Sequence, residues 1–395
     1  MKDDRDVDIK GAHLAGKMID LIVAGGIASI ETPKLIRELR RYGANVRVFM
    51  TKSATQFVSP LVFEWASKNP VVTDLTGLAE HITHADGVLI APATLDFISK
   101  IAVGISDSAA ATLVQSAINR IPVLFAPSMH LSLQGNPAYA AHLNSLSKIN
   151  RVTILSAAED EGKAKMLGFE EITARVCHEL STSSLSKIPI LISLGPTRSY
   201  VDVMRYLSNR STGKLGLAIA DDLYRRGAKV FTVCGAIQKS VPHYLNPVFA
   251  ETNKEMEASF LAIVEKEKPR VGIFSAAVLD FDIVNPRSGK SSSKESIELK
   301  LKPSAKLIEA TSWPKNMIRV GFKLESGLSI EELKERAKKW AQLNHCELLV
   351  ANRLEDVGEE AHKAYLFSAK DNSFTNASNK VEIADQISKA LEKSF

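Results

Sequence analysis

Short runs of Val, Ile and Leu recur along the chain, each ending in Gly, Pro or small hydroxyl residues and each followed by helical periodicity. In the first half these runs are LIVAGGIAS (Leu21–Ser29), NVRVFM (Asn45–Met50), GVLIAPAT (Gly87–Thr94) and IPVLFAPSM (Ile121–Met129). Strands buried on both faces read as continuous apolar runs, and the helices between them set neighbouring strands parallel. The rhythm pauses at STSSLSK (Ser181–Lys187), a small polar stretch that reads as a linker, and restarts with IPILISL (Ile188–Leu194). AKVFTVCG, RVGIFSAAVLD, MIRVGFKL, CELLVAN and AYLFSA follow as strands, and the amphipathic VEIADQISKALEKSF closes the chain. The pattern predicts an α/β protein of two doubly wound, Rossmann-like domains, residues 1–185 and 188–395. A length of 395 residues accommodates both.

Hydrophobic content of 45% and charged content of 24% are those of a globular protein with sizeable cores. The net charge of +5 arises from Lys and Arg scattered among Asp and Glu, so small acidic substrates are expected as partners rather than nucleic acid. Cys177, Cys234 and Cys346 are far apart and lack C-x-x-C spacing, which suggests a reducing compartment and no disulfide framework. The N-terminal MKDDRDVDIKGAH has no apolar signal core. No apolar run approaches the ~18 residues of a membrane span. A cytoplasmic protein without a membrane partner is therefore expected.

Ligands of doubly wound sheets bind beyond the carboxyl ends of the strands. That edge takes in Gly25–Ser29, Pro92–Asp96, Pro127–His130, Gly195–Lys214, Ala276–Asp280 and Gly321–Glu325. Its richest segment is GPTRSYVDVMRYLSNRSTGKLG (Gly195–Gly216), with three arginines, a lysine, an Asn and several hydroxyls leading into the helix LGLAIADDLYRRG. Glycines, backbone N–H groups and a helix N-terminus together cradle phosphate. From spacing alone the segment is an anion-handling loop or a long surface loop.

The segment resembles the signature of phosphopantothenate–cysteine ligases, through Gly195-Pro196-Thr197-Arg198, Asp202, Arg205, Ser208-Asn209, Ser211-Thr212-Gly213-Lys214 and Gly216. SAAVLDF (Ser275–Phe281), Lys290 ten residues after Asp280, GFKLE, VAN and HKAYLF continue the likeness in order over residues 188–395. The first half resembles the flavin-dependent cysteine decarboxylases, through GGIAS, MTKSATQFVSPLVF, IAPAT, SKIAVGISD and APSM. The two are fused in the bifunctional family of coenzyme A synthesis, which this chain resembles throughout.

The ligase resemblance implies activation of the carboxylate of 4′-phosphopantothenate by a nucleoside triphosphate, CTP ahead of ATP, with Mg²⁺. Attack by the amine of cysteine on the acyl-nucleotide would follow. Charge gathers at the phosphates, and Arg198, Arg205, Arg210, Lys214 and Lys290 suit that demand. The resemblance implies Asn209 as the main acyl-transfer residue, donating to the acyl oxyanion, with Arg205 and Lys290 on phosphate. Asp280 would contact the base or Mg²⁺. Phe322 would pack on the base or fill the core. Lys338 or Lys339 would be the first of a lysine pair whose second member is missing, and Arg353 stands where an Asp commonly follows Asn352.

The decarboxylase resemblance implies FMN, with Gly25, Gly26, Ser29, Thr51, Ser53 and Thr94 serving its phosphate and ring. Three positions depart from that family. Its catalytic His, counted back from Ala85-Asp86, falls on Leu78, while His81 sits three residues too close. Its P-x-M-N motif reads Pro127-Ser128-Met129-His130, and its flap cysteine is Ala158 in AAEDEGKAKM. Decarboxylation is therefore expected to be weakened or lost. The alternatives are an intact bifunctional enzyme that uses His81 and His130 in new roles, or a non-catalytic flavin-binding scaffold. The resemblance further implies a homo-oligomer, with ligase domains as dimers and flavoprotein domains as trimers.

Overall fold

The computed structural model describes residues 3–155, 158–160, 163–237, 239–291, 296–309, 313–358 and 361–395. The chain divides into two compact units, Met1–Ser181 and Thr182–Phe395. No helix among the described residues is long and apolar enough to cross a membrane.

The first unit begins β1 (Met18–Val23), α1 (Thr32–Arg41), β2 (Asn45–Met50), α2 (Pro60–Ser67), β3 (Val71–Val72), β4 (Gly87–Ala93), α3 (Leu95–Ala102), α4 (Ala109–Ala117) and β5 (Val123–Pro127). It continues through β6 (Met129–His130), α5 (Leu131–Gln134), α6 (Pro137–Ser147), β7 (Val152–Ile154), β8 (Ala158–Asp160), β9 (Lys163–Lys165) and α7 (Phe169–Glu179). Six strands form a parallel sheet of order β3-β2-β1-β4-β5-β7, and β6, β9 and β8 form a small antiparallel one. Successive side chains of a strand point to opposite faces. Leu21 and Val23 accordingly join Leu35, Leu39 and Phe63 on one face, while Ile22 joins Phe49, Phe97 and Phe125 on the other. Each such aromatic or branched side chain contributes about 1.5–3 kcal/mol on burial.

Thr32 and Pro33 are the first two residues of helix α1. Glu31 is its N-cap, and the buried Thr32 hydroxyl donates to the Ala91 carbonyl of β4 at 3.0 Å instead of capping. A tertiary acceptor has taken the hydroxyl in place of a local N–H donor.

The second unit runs β10 (Pro189–Leu194), β11 (Arg198–Tyr200), β12 (Tyr206–Ser208), α8 (Lys214–Arg225), β13 (Lys229–Cys234), β14 (Pro247–Phe249), α9 (Asn253–Glu267) and β15 (Val271–Phe274). It ends β16 (Phe281–Ile283), β17 (Leu301–Pro303), β18 (Ile318–Glu325), α10 (Ile330–Leu343), β19 (Leu348–Arg353), β20 (Ala364–Ser368), β21 (Ser373–Ala377) and α11 (Lys380–Glu392). Its eight-stranded sheet has the order β14-β13-β10-β15-β18-β19-β20-β21. It is parallel through β19 and antiparallel beyond. Phe260, Phe274 and Trp313 pack with ring centroids 5.1–5.7 Å apart at the centre of a core that also holds Leu333 and Leu349. All three cysteines are buried, and burial pushes the Cys346 thiol up to about 12.

Candidate functional site

The strand order of each sheet reverses beside its first strand, between β1 and β4 and between β10 and β15. Loops leaving these strand ends diverge and open a crevice there. In the second unit the crevice is bounded by the loop after β10 and by residues 275–280 after β15. The Asn209 amide spans the two, its nitrogen donating to the carbonyls of Ala277 at 3.1 Å and Val278 at 3.2 Å. Thr197, fully buried, holds the same junction. Its hydroxyl bonds Asn253 and accepts the Leu279 N–H at 3.0 Å, while the Asn253 amide donates to the Leu279 carbonyl and to Ser304. Asp280 follows, exposed, with its carbonyl accepting the Ser304 N–H at 2.9 Å.

A second junction draws in Lys290. The Asp202 carboxylate accepts the N–H groups of Met204, Arg205 and Ser291 at 2.8, 2.9 and 3.1 Å and the Arg205 guanidinium at 2.7 Å. The Met204 N–H foremost, with Ser291 and Arg205 behind it, holds this carboxyl well below the usual range. Arg205 also donates to the Ser291 carbonyl, and the Arg287 N–H donates to the Val201 carbonyl at 3.0 Å. Exposed Lys290 is thereby held next to Arg205 on a segment whose residues 292–295 lie outside the described ones. Arg198 serves otherwise. It pairs with Glu251 at 3.1 Å and stacks over Tyr206 at 4.2 Å, so it braces the β11–β12 hairpin. The crevice closes on α8, whose N-cap Gly213 sits at φ +73°. A Cβ there would lie 2.5 Å from Ile237 Cγ2, and no side chain caps the helix. Such a helix N-terminus favours an anion.

In the first unit the crevice is a cavity of about 820 Å³. Gly25, Gly26, Thr51, Ser53 and Thr94 line it, with Ser128, His130 and residues 166–169. A Cβ on Gly25 would fall 2.3 Å from Ser53 Oγ, so only glycine lets the β1 and β2 loops close together. Ser29 lies beneath the Gly25-Gly26 turn, fully buried, and its hydroxyl has no partner among the described residues. Such a donor set of hydroxyls and loop N–H groups fits a phosphate-bearing group. His81 is not among the lining residues. It is exposed in the segment that enters β4, its carbonyl accepting from Ser116, and Thr83 is fastened to buried Asp20 at 2.6 Å. Residues that enter a parallel strand lie at its amino end, opposite the cavity.

Comparison with known proteins separates the same two halves. Residues 9–181 match the Flavoprotein family, and residues 185–395 match the DNA/pantothenate metabolism flavoprotein C-terminal domain. The chain is 36% identical over 393 residues, 97% of each chain, to the coenzyme A biosynthesis bifunctional protein CoaBC of Thermococcus kodakarensis. The chain belongs to this bifunctional family. The Methanocaldococcus jannaschii member is 32% identical over 97% of this chain and 95% of its own. The DNA/pantothenate metabolism flavoprotein from Streptococcus pneumoniae, a solved structure, superposes on 53% of this chain and all of its own, at 25% identity and a TM-score of 0.48.

Within this family frame the remaining candidates scatter. Lys338 and Lys339 lie about 12 Å along α10 from its first residue, toward the amino ends of the strands. The Lys338 ammonium stands over the Phe374 ring at 5.8 Å, and Lys339 is exposed. Phe322 is half-buried within β18, paired in register with Val350. Arg353 is turned to Asp356 at 2.7 Å. Sequence reasoning passed over Asn253, Ser304, Glu251 and Ser291, which no local pattern marks. It also gave no role to Asn352 and His362, buried together with their side chains 3.3 Å apart, where burial holds the imidazole below its ordinary value. Among the described residues no three His, Cys, Asp or Glu side chains are grouped to hold a metal.

Proposed function

We propose that residues 182–395 join 4′-phosphopantothenate to cysteine with a nucleoside triphosphate, CTP ahead of ATP. The substrate carboxylate attacks the α-phosphorus and expels pyrophosphate. The cysteine amine then attacks the acyl carbon and expels the nucleoside monophosphate, forming the amide and losing one proton to solvent. The observation that carries this reading is the Asn209 bridge between the β10 loop and the β15 carbonyls, with Lys290 tied alongside through Asp202. To stabilise the acyl oxyanion, Asn209 turns one amide hydrogen from a carbonyl to the substrate. Arg205, Lys290 and the N-terminus of α8 neutralise phosphate, and Asp280 meets Mg²⁺ or the base.

For residues 1–181 we propose FMN in the 820 Å³ cavity, held by Gly25, Gly26, Ser29, Thr51, Ser53 and Thr94, with decarboxylation of phosphopantothenoylcysteine. FMN supplies reversible oxidation of the cysteinyl thiol, which makes loss of the neighbouring carboxylate feasible. A second reading, a weakened decarboxylase, is favoured by His81 lying at the far edge of the sheet and by alanine at the flap position 158.

Mass-spectrometric turnover of 4′-phosphopantothenate and cysteine with Mg²⁺, comparing CTP with ATP, tests both halves. Phosphopantothenoylcysteine together with 4′-phosphopantetheine supports the bifunctional reading, and the acid alone supports the weakened one. No product with either nucleotide overturns the ligase assignment in favour of a non-catalytic flavin binder. Asn209→Ala and Lys290→Ala should each abolish the acid with the circular dichroism unchanged; full activity in both overturns the site.

A further inference from the structure

We propose that neutral His362 orients the Asn352 amide oxygen toward the nucleotide, so that the second unit selects bases bearing an exocyclic amine; the inference rests on the ligase reading above. Asn352 lies near the end of β19, in register with Leu324 of β18 and two residues beyond the Phe322–Val350 pair. Leu349 and Ala351 turn into the core that α9 and α10 cover. Val350 and Asn352 therefore take the opposite face, together with Phe322 and Leu324. Leu191 joins the same core, so Leu194 also turns to the opposite face, and α8 packs there: a Cβ on Gly216 would fall 2.5 Å from Leu194 Cβ. Helix α8 starts beside the end of β10, where a Cβ on Gly213 would lie 3.2 Å from Gly195 Cα. The N-terminus of α8 and Asn352 thus share one face, at the ends of strands three neighbours apart, about 14 Å. An extended nucleoside triphosphate spans that interval, with its base over Phe322 and Leu324 and the edge of the base at Asn352.

The imidazole decides which end of that amide faces the base. The Asn352 nitrogen lies 3.3 Å from His362 Nε2, and an amide NH₂ only donates, so Nε2 accepts and the neutral ring carries its proton on Nδ1. With its nitrogen turned to the ring, the amide directs its oxygen the other way. An acceptor there pairs with the exocyclic amine of cytosine or adenine and repels the carbonyl that uracil or guanine holds in its place. A proton on Nε2 would face the NH₂, so a charged ring would turn the amide over and present its nitrogen. Burial first and then Lys380 hold the imidazole below its ordinary value of about 6.5. Lys380 itself donates to the Gly358 carbonyl at 2.9 Å. The other charged groups on the flanking elements are Arg353 and Asp356, paired at 2.7 Å, Glu355, bonded to the Gly327 N–H, Lys363, and Glu382 in the first turn of α11. The ring is therefore neutral at and above pH 7, and the oxygen faces the base there.

The test uses the full-length chain with Mg²⁺, and dissociation constants are measured for CTP, UTP, ATP and GTP. The wild type should prefer CTP to UTP and ATP to GTP by about tenfold or more, since the wrong base leaves an acceptor facing an acceptor. His362→Leu frees the amide to rotate and should lose most of both preferences, with circular dichroism unchanged. His362→Glu, whose carboxylate only accepts, should hold the amide nitrogen and restore them. In the wild type both preferences should be constant between pH 8 and pH 7 and fall only in acid, as Nε2 takes a proton. Asn352→Asp, with an acceptor at both ends, should keep them in acid as well. Nitrogen-15 spectra of the wild-type ring, taken without nucleotide, should show the proton on Nδ1. A proton on Nε2, a wild type that binds all four nucleotides alike, or a His362→Leu variant that discriminates like the wild type overturns the role of His362 alone. A folded His362→Glu variant that does not discriminate does the same. A wild type that binds none of the four overturns the ligase reading and this role with it.

Discussion

Four donors converge on the Asp202 carboxylate, three backbone N–H groups and the Arg205 guanidinium, and the side chain is almost completely buried. An Asn in its place keeps one acceptor oxygen and turns an NH₂ toward donors, so Asp202→Asn should release both Arg205 and the segment bearing Lys290. The expected outcome is a rise of about tenfold or more in KM for the triphosphate, checked by steady-state kinetics alongside unchanged unfolding of the rest of the chain. The pH dependence follows from the direction of the shift. A carboxyl held below the ordinary value of about 3.9 stabilises the fold fully above that value and loses its contribution as pH falls through the lower, folded one. Hydrogen-exchange protection factors of residues 201–205, taken relative to the intrinsic rate at each pH, should therefore stay high at pH 4 in the wild type and be low in Asp202→Asn even at pH 7. The sequence marked Asp202 and Arg205 through their motif but could not mark Ser291, because the bond that joins it to Asp202 spans 89 residues. His81 shows the converse. Its His-Ile pair reads like a catalytic motif, yet a tertiary bond from Thr83 to Asp20 is part of what holds that segment at the amino end of β4.

Helix α8 joins the candidate ligase site to the fold. At its start Gly213 is left-handed, a conformation that costs an L-residue about 1–2 kcal/mol even before a Cβ meets Ile237. Gly213→Ala should lower the unfolding free energy by that amount or more in urea titration. It should also weaken triphosphate binding, since the helix N-terminus would move. At the other end, Arg226 pairs with Asp222 at 2.9 Å and reaches Asp385 and Glu392 of α11 at 2.7 and 3.0 Å. Arg226→Met removes the guanidinium that the three carboxylates share, leaving Asp385 with Lys389 at 2.7 Å and Glu392 with the Ser183 hydroxyl, and a loss of about 1–3 kcal/mol is expected in the same titration with kinetics unchanged. The strands and helices were legible because their signals are local. IPILISL is apolar throughout since β10 is covered on both faces, and Gly227 at φ +82° ends the helix pattern where the sequence places it. The Arg226 cluster was not legible, because α11 lies more than 150 residues downstream of α8.

At the scale of the molecule, each unit has its own sheet and its own core, with β1 to β5 and β7 around one and β10 around the other. A chain built this way should behave as two cooperative blocks, so we expect two separable transitions in calorimetry of the intact protein. The ligands should then sort themselves. A ligand that binds only the folded state stabilises its own block by about 2.7 kcal/mol at a hundredfold excess over Kd. FMN should raise only the transition that also appears in a separately expressed 1–181 fragment. CTP with Mg²⁺ should raise only the one that appears in 182–395. The second fragment should ligate 4′-phosphopantothenate and cysteine by itself, and the first should show no nucleotide-dependent turnover. If CTP and FMN shifted one common transition, the two blocks would be a single cooperative unit and the division of chemistry at residues 181 and 182 would fail. A fragment that neither folds nor binds its ligand would place the boundary elsewhere, and the shift of each transition in the intact chain would still show which ligand each block holds.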